Sequence, residues 1–258
     1  MSITEATTGQ ALAIELYWLP GCSACMRMKE FVASAGLEFT AINAEADERG
    51  ADKLRRHELR APAACVGDQC VDGHDLDRVA KLLGIDYAPP ALLSPRELYD
   101  RYQSINTALR RFLGQMPAGA DEYRLPGRRR SMVDLANHTS LIARAFLAAY
   151  YENVHDKSIY KKLDQVDGFP GVIVQAEETS RRMDAWWEED GQDDPLDRVI
   201  ESSDGYPTLH HILERETWHT AQHVRQLQYV LEVHGVQPDR PLTDEDLKGL
   251  PVPSGIHA

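Results

Sequence analysis

The stretch ETWHTAQHVRQLQYV, Glu216 to Val230, lies inside a longer run, Thr208 to His234, with apolar residues at helical spacing and a stop at Gly235. Read as helix, it puts His219 and His223 on one face, with about 5–6 Å between their Cβ atoms. Ile212, Glu216, Gln226 and Val230 share that face, which is partly apolar and so turns toward a core. Two imidazoles on an inward face need hydrogen-bond partners or a metal ion. His-x-x-x-His alone is a weak signal, and two satisfied histidines are the ordinary alternative.

Three further segments share this periodicity: about Pro95–Met116, Ser131–Tyr151 and Gly171–Asp190. Ser94-Pro95 gives the first a cap and a proline start, and Ser131 with Asp134 gives the second a start resembling a capping box. Four helices of this length predict an all-α four-helix bundle over residues 95–258. Their connections are long and are expected to cover one end and shape a pocket. The proline-rich tail after Gly235 is expected to be extended.

A metal held by His219 and His223 needs a ligand from another helix. His138, in SMVDLANHTSLIARAFLAAY, is the candidate, because Leu135, Leu141, Ile142 and Ala145 give it an apolar face. His210 and His211 lie too far along their helix to reach the same ion. His57 and His74 belong to the first part of the chain, His155 to a charged loop, and His234 and His257 to ends. Glu216, one turn before His219, is a candidate fourth ligand, outer acceptor or base.

Upstream, the proline-rich YAPPALLSP (Tyr87–Pro95) marks a boundary, with a linker at residues 89–94. Residues 1–88 alternate strand and helix signals. Strands are read at Ala13–Leu19 and Leu37–Asn43, helices at Cys22–Ala35, Asp47–Leu59 and Asp75–Leu83, and a hairpin at Ala63–Val71 turning at Gly67-Asp68. The order is βαβαββα, so the chain is read as multidomain, an α/β unit followed by the bundle.

In LPGCSACMRM, Cys22 and Cys25 follow a strand and open a helix. Unpaired N–H groups and the positive end of the helix dipole favour thiolate there. Cys22 is therefore the expected nucleophile and Cys25 the resolving thiol. The alternative is a zinc site shared with Cys65 and Cys70. Those two flank the Gly67-Asp68 turn, and either a cross-hairpin disulfide or two buried free cysteines suits them.

Residues 13–85 resemble a thioredoxin-like glutaredoxin-fold domain. The matching pieces are the first strand, Cys22-Ser23-Ala24-Cys25, the Ala61-Pro62 step and VDGHDLDRVAKLLG (Val71–Gly84). The resemblance implies thiol–disulfide exchange through Cys22 and Cys25, with Pro62, Gly73 and Asp75 bordering a site for a small thiol such as glutathione. Ser-Ala between the cysteines and Asp72-Gly73 in place of a double glycine depart from the usual pattern. Residues 95–235 resemble the DinB/YfiT-like superfamily, on His138 within DLANHTSLIARAF and on WHTAQHVRQL (Trp218–Leu227). That resemblance implies a three-histidine site (His138, His219, His223) with open positions for a divalent metal, zinc foremost, with nickel or iron as alternatives. Some relatives in that superfamily are thiol-dependent transferases.

The leading expectation is a metal-dependent thiol transferase or isomerase that joins a small thiol to a small electrophile. The fused exchange module would be served by a reductase of the thioredoxin-reductase type. The alternatives are a disulfide oxidoreductase with the bundle as a binding or sensor module, a metal or redox sensor without turnover, and a metal-dependent hydrolase. The net charge of −13, shared as 9 basic against 14 acidic residues before position 91 and 19 against 27 after, argues against nucleic-acid binding. Arg128-Arg129-Arg130 is read as a solvated loop, with an anion-recognition patch as the sharper alternative. Trp186 and Trp187 are read as core and surface rather than pocket lining, and Arg225 as solvent-exposed. No apolar run is long enough for a membrane helix, and MSITEATTGQ lacks the marks of a secretory signal. A cytoplasmic location is the default expectation, and a homodimer stays open.

Overall fold

The structure, a computed structural model, describes residues 13–156, 158–202 and 205–256. The chain divides into two units, Met1–Pro89 and Pro90–Ala258. Among the described residues it is mixed α/β, with one four-stranded sheet and nine α-helices. No helix among them is long and apolar enough to cross a membrane.

The first unit runs β1 (Ile14–Trp18), α1 (Ser23–Ser34), β2 (Thr40–Asn43), α2 (Glu48–Arg56), β3 (Ala63–Val66), β4 (Gln69–Asp72) and α3 (Leu76–Leu83). The strands lie in the order β2-β1-β3-β4, with β1 and β2 parallel and the other pairs antiparallel. Successive strand residues face opposite ways, and the core follows that alternation. Leu16 and Ala64 pack with Met28 and Val32 of α1 and Leu76 and Val79 of α3. Tyr17, Ala63 and Cys65 pack with Leu54 of α2. Cys22, Asp47 and Asp75 cap the three helices at their N-termini, and Gly84 ends α3 at φ 67°. β2 is shorter than its sequence suggests, because pairing with β1 begins only at Thr40. Leu37 and Phe39 pack against the core without joining the sheet ladder.

The second unit runs α4 (Pro95–Leu113), α5 (Met132–Glu152), the short α6 (Ser158–Lys161), α7 (Gly168–Trp186), a π-helical turn (Trp187–Gly191), α8 (Leu209–Val233) and the short α9 (Asp244–Leu247). α4 and α5 each pack against both α7 and α8. Ile105, Leu109, Phe112, Ile142, Phe146, Met183, Trp186, Val224 and Leu227 are buried there. Each such side chain contributes about 1.5–3 kcal/mol on burial, against about 1 kcal/mol for a helix cap. The core therefore decides that the helices form, and the caps Ser94, Ser131 and Thr208 decide where they begin.

Two sequence expectations are corrected here. The tail is not simply extended: it contains α9, started by a Thr243/Asp246 capping box. α6 and α9 are single turns, too short to show periodicity. Trp187 is buried like Trp186 and stacks on Tyr99, so neither tryptophan of the pair is a surface residue. The π-helical turn after Trp186 closes on Gly191, where a Cβ would come within 2.8 Å of the Trp186 ring.

Candidate metal centre and dithiol site

Cys22 and Cys25 are disulfide-bonded at the junction of β1 and α1, with Cα atoms 5.2 Å apart. Cys22 is the N-cap, and its sulfur accepts from the Cys25 N–H at 3.1 Å. Cys22 is partly exposed and Cys25 fully buried, so the sulfur open to attack is the one at the cap. Cys65 and Cys70 stand opposite each other in the β3–β4 register and form a second disulfide. Both pairs are thus bonded within themselves, which excludes the shared four-cysteine zinc site in this state. The Ala61-Pro62 peptide is cis. The Pro62 carbonyl accepts from the Gly73 N–H at 2.9 Å, and a Cβ at Gly73 would come within 2.9 Å of Pro62 Cβ. Asp75 accepts from the Arg78 N–H as the α3 cap and is ion-paired with the Arg78 guanidinium.

In the second unit, His138 of α5 and His219 and His223 of α8 converge, with one ligand-capable atom from each within 4.8 Å of the others. His138 and His223 are buried, and His219 is nearly so. The two nitrogens of each ring have separate tasks. His138 Nδ1–H donates to the Tyr160 carbonyl at 2.6 Å. A carbonyl only accepts, so the proton is fixed on Nδ1 and the lone pair left on Nε2. Gln226 Nε2 donates to the Ile256 carbonyl at 2.7 Å, which turns Gln226 Oε1 toward His223 Nδ1 at 2.8 Å. His223 Nε2 therefore also carries a lone pair. It lies 3.1 Å from His219 Nε2, while His219 Nδ1 lies 3.7 Å from Glu216 Oε2.

This donor set fits a divalent ion. Two imidazole nitrogens about 2.1 Å from one tetrahedral ion stand about 3.4 Å apart, close to the separation seen. With the His219 proton on Nδ1, toward Glu216, two lone pairs face each other at that distance and repel unless a cation lies between them. If His219 carried its proton on Nε2 instead, a bare Nδ1 would face a carboxylate. Burial, then the neighbouring His219 and Arg130, hold His138 well below the ordinary histidine range. Burial, then His219, His138 and Arg128, do the same for His223. Both rings are neutral near neutral pH, as metal ligands must be.

Glu216 is buried behind this group. Its Oε1 accepts from His155 Nε2 at 2.9 Å and from Arg215 Nη1 at 2.5 Å. Burial alone would raise its carboxyl, but Arg215, His155 and His219 outweigh that and hold it well below the usual range. It is a fixed anion on the Nδ1 side of His219. His155, expected in a charged loop, is buried, with Nδ1 2.9 Å from Ser202 Oγ. Arg225, expected in solvent, binds the tail through the Pro253 and Ser254 carbonyls at 2.6 and 3.0 Å, and Gln222 donates to the Gly255 carbonyl at 2.9 Å.

Sequence reasoning missed Tyr160, His155 and the tail as parts of the site. Each contributes a backbone carbonyl or comes from a connection, and neither leaves a spacing to read. His210 and His234 are used elsewhere, on the Leu93 and Val230 carbonyls. Arg128 and Arg130 are half-buried rather than solvated. No protein-family model, curated protein or solved structure matches this chain.

Proposed function

We propose that the second unit is a divalent-metal-dependent transferase for a small thiol, with zinc the natural occupant, and that the first unit is a glutaredoxin-like thiol–disulfide exchange module. The carrying observation is the sorting of ring nitrogens. His138 and His223 have Nδ1 occupied by hydrogen bonds, and the group offers Nε2 lone pairs to one point. An ion held by three neutral imidazoles keeps its +2 charge toward its open positions, where it favours the ionised form of a thiol or water.

The chain's own residues set the conditions. Tyr160 and Gln226 lock two ligands in the tautomer that binds. Glu216, held ionised by Arg215 and His155, is too weak a base to take a proton near neutral pH, so its role is to position His219 and strengthen it as a donor. The reaction that suits the site is addition of a thiol to an activated double bond. Sulfur bonds to one carbon, the thiol proton ends on the other, and no electron acceptor is needed.

In the first unit, reduced Cys22 would attack a disulfide and release one thiolate, forming a mixed disulfide. Cys25 would then attack Cys22 sulfur, release the second thiolate and leave the bonded pair. A reductase or a pool of small thiols would restore the dithiol. The partial exposure of Cys22 beside buried Cys25 supports this direction. The β1–α1 placement of the pair supports the thioredoxin-fold reading, and the packing of α4, α5, α7 and α8 supports the DinB-like one.

The test is metal analysis of purified protein, followed by addition of glutathione or 2-mercaptoethanol to an activated alkene. One equivalent of metal is expected, with activity lost on chelation and in His219→Ala. Full activity in folded, metal-free protein would overturn the transferase. If disulfide reduction survives His219→Ala and is the only activity found, the chain is an oxidoreductase with a metal-binding companion.

A further inference from the structure

Arg128 lies in the connection between α4 and α5, which is pinned rather than loose. The Arg128 N–H donates to the Leu125 carbonyl at 2.9 Å, Arg124 Nε donates to the Arg129 carbonyl at 2.9 Å, and the Asp121 carbonyl accepts from Met132 and Val133 at the start of α5. Leu125 is buried. On this fixed loop, Arg128 Nε and Nη2 are shielded from solvent and have no hydrogen-bond partner among the described residues. Those two groups form one edge of the guanidinium, with parallel N–H bonds spaced to meet both oxygens of a carboxylate. A guanidinium edge shielded from water and left without an acceptor is costly, and that cost points to a ligand that supplies one.

The charge balance points the same way. Arg128 acts electrostatically on His223, and Arg130 on His138, so both lie within electrostatic reach of the histidine group. Burial, then the like charge of Arg130, push the Arg128 guanidinium down to about 10, which still leaves it charged near neutral pH. Asp134 acts on Arg130. The buried carboxylate at the site, Glu216, is already engaged by Arg215 and His155. With a divalent ion added, positive charge exceeds negative.

We infer that the Nε/Nη2 edge of Arg128 docks a carboxylate of the substrate beside the three histidines, so that the small molecule handled there is a carboxylic acid. This rests on reading the histidines as a substrate-activating metal site, and the test separates the two ideas. Full-length protein, metal-free and loaded with Co(II), is titrated with propionate by calorimetry. The Co(II) form is also titrated with 3-mercaptopropionate and 2-mercaptoethanol, followed by the cobalt absorption. Wild type is expected to bind propionate in both forms and to prefer the mercapto acid by about tenfold or more, the worth of one charge-assisted hydrogen bond. Arg128→Gln should abolish both effects and leave the cobalt spectrum and the 2-mercaptoethanol affinity unchanged. Arg128→Lys, which keeps the charge without the fork, should retain only part of the preference and stands in if the glutamine variant does not fold. Equal affinity for the two thiols, no propionate binding, or a preference that survives Arg128→Gln would each overturn the assignment. Failure to load Co(II) with propionate still bound through Arg128 would overturn the metal reading and leave the carboxylate site standing. A preference for 3-mercaptopropionate places the carboxylate on the thiol. If acrylate competes with propionate more strongly than the mercapto acid does, the carboxylate belongs to the electrophile.

Discussion

The two candidate sites are built on different plans. Cys22 and Cys25 are three positions apart on the cap and first turn of α1, and what they need is supplied by that strand–helix junction. The three histidines come from α5 and α8, and their orienting partners come from elsewhere again: Tyr160 after α5, and the tail through Gln226. A local site stands or falls with one helix end. A distributed site depends on the packing of its whole unit, and it can be weakened from places that never touch the ligand.

The largest effects should come from breaking each site alone. His223→Ala should reduce bound metal from one equivalent to near none by elemental analysis, with disulfide exchange by the first unit unchanged. Cys22→Ser should abolish that exchange, read as insulin reduction, with metal content unchanged. If either substitution silences both sites, the separation drawn above is wrong. A more searching test of the distributed plan is Gln226→Ala, which leaves every proposed ligand in place. Loss of an outer hydrogen-bond partner typically costs about 10–100-fold in metal affinity, and competition with a chromophoric chelator would measure it. Removing residues 253–258 should act in the same direction and be smaller in combination with Gln226→Ala than alone.

Smaller effects should stay within one unit. Replacing Cys65 and Cys70 together by Ala opens a short cross-hairpin loop, worth about 2 kcal/mol in the chain-entropy account. Thermal unfolding of the first unit should move down while Cys22 keeps its exchange activity. Thr208→Ala removes the α8 cap, which accepts from the His211 N–H. About 1 kcal/mol is expected, or about 2–4 °C in the melting of the second unit, with metal affinity intact because the ligands lie two turns or more beyond.

The same contrast explains what could be read from the sequence. The helix carrying His219 and His223 announces itself by spacing, and so do the Ser94, Ser131 and Thr208 starts. The βαβαββα order follows from alternation and turn residues such as Gly67-Asp68. His138 is recognisable as a polar group on an apolar face. The carbonyls of Tyr160 and Ile256 have no such signature, since any residue supplies one. His155 does lie in a loop, but its burial could not be read because it depends on Ser202 and Glu216, both distant in the chain. Arg128 and Arg130 looked solvated because a basic triplet usually is, and the pinned loop around Leu125 is what half-buries them.

Gln226 holds an acceptor toward one neighbour and a donor toward another, and an amide is the side-chain group of that size that can do both at once. Glutamate there would still satisfy the ring but would repel the carbonyl beyond it. Among natural variants of this chain, position 226 is therefore expected to keep its amide, while position 256, which offers only its backbone carbonyl, is free to vary.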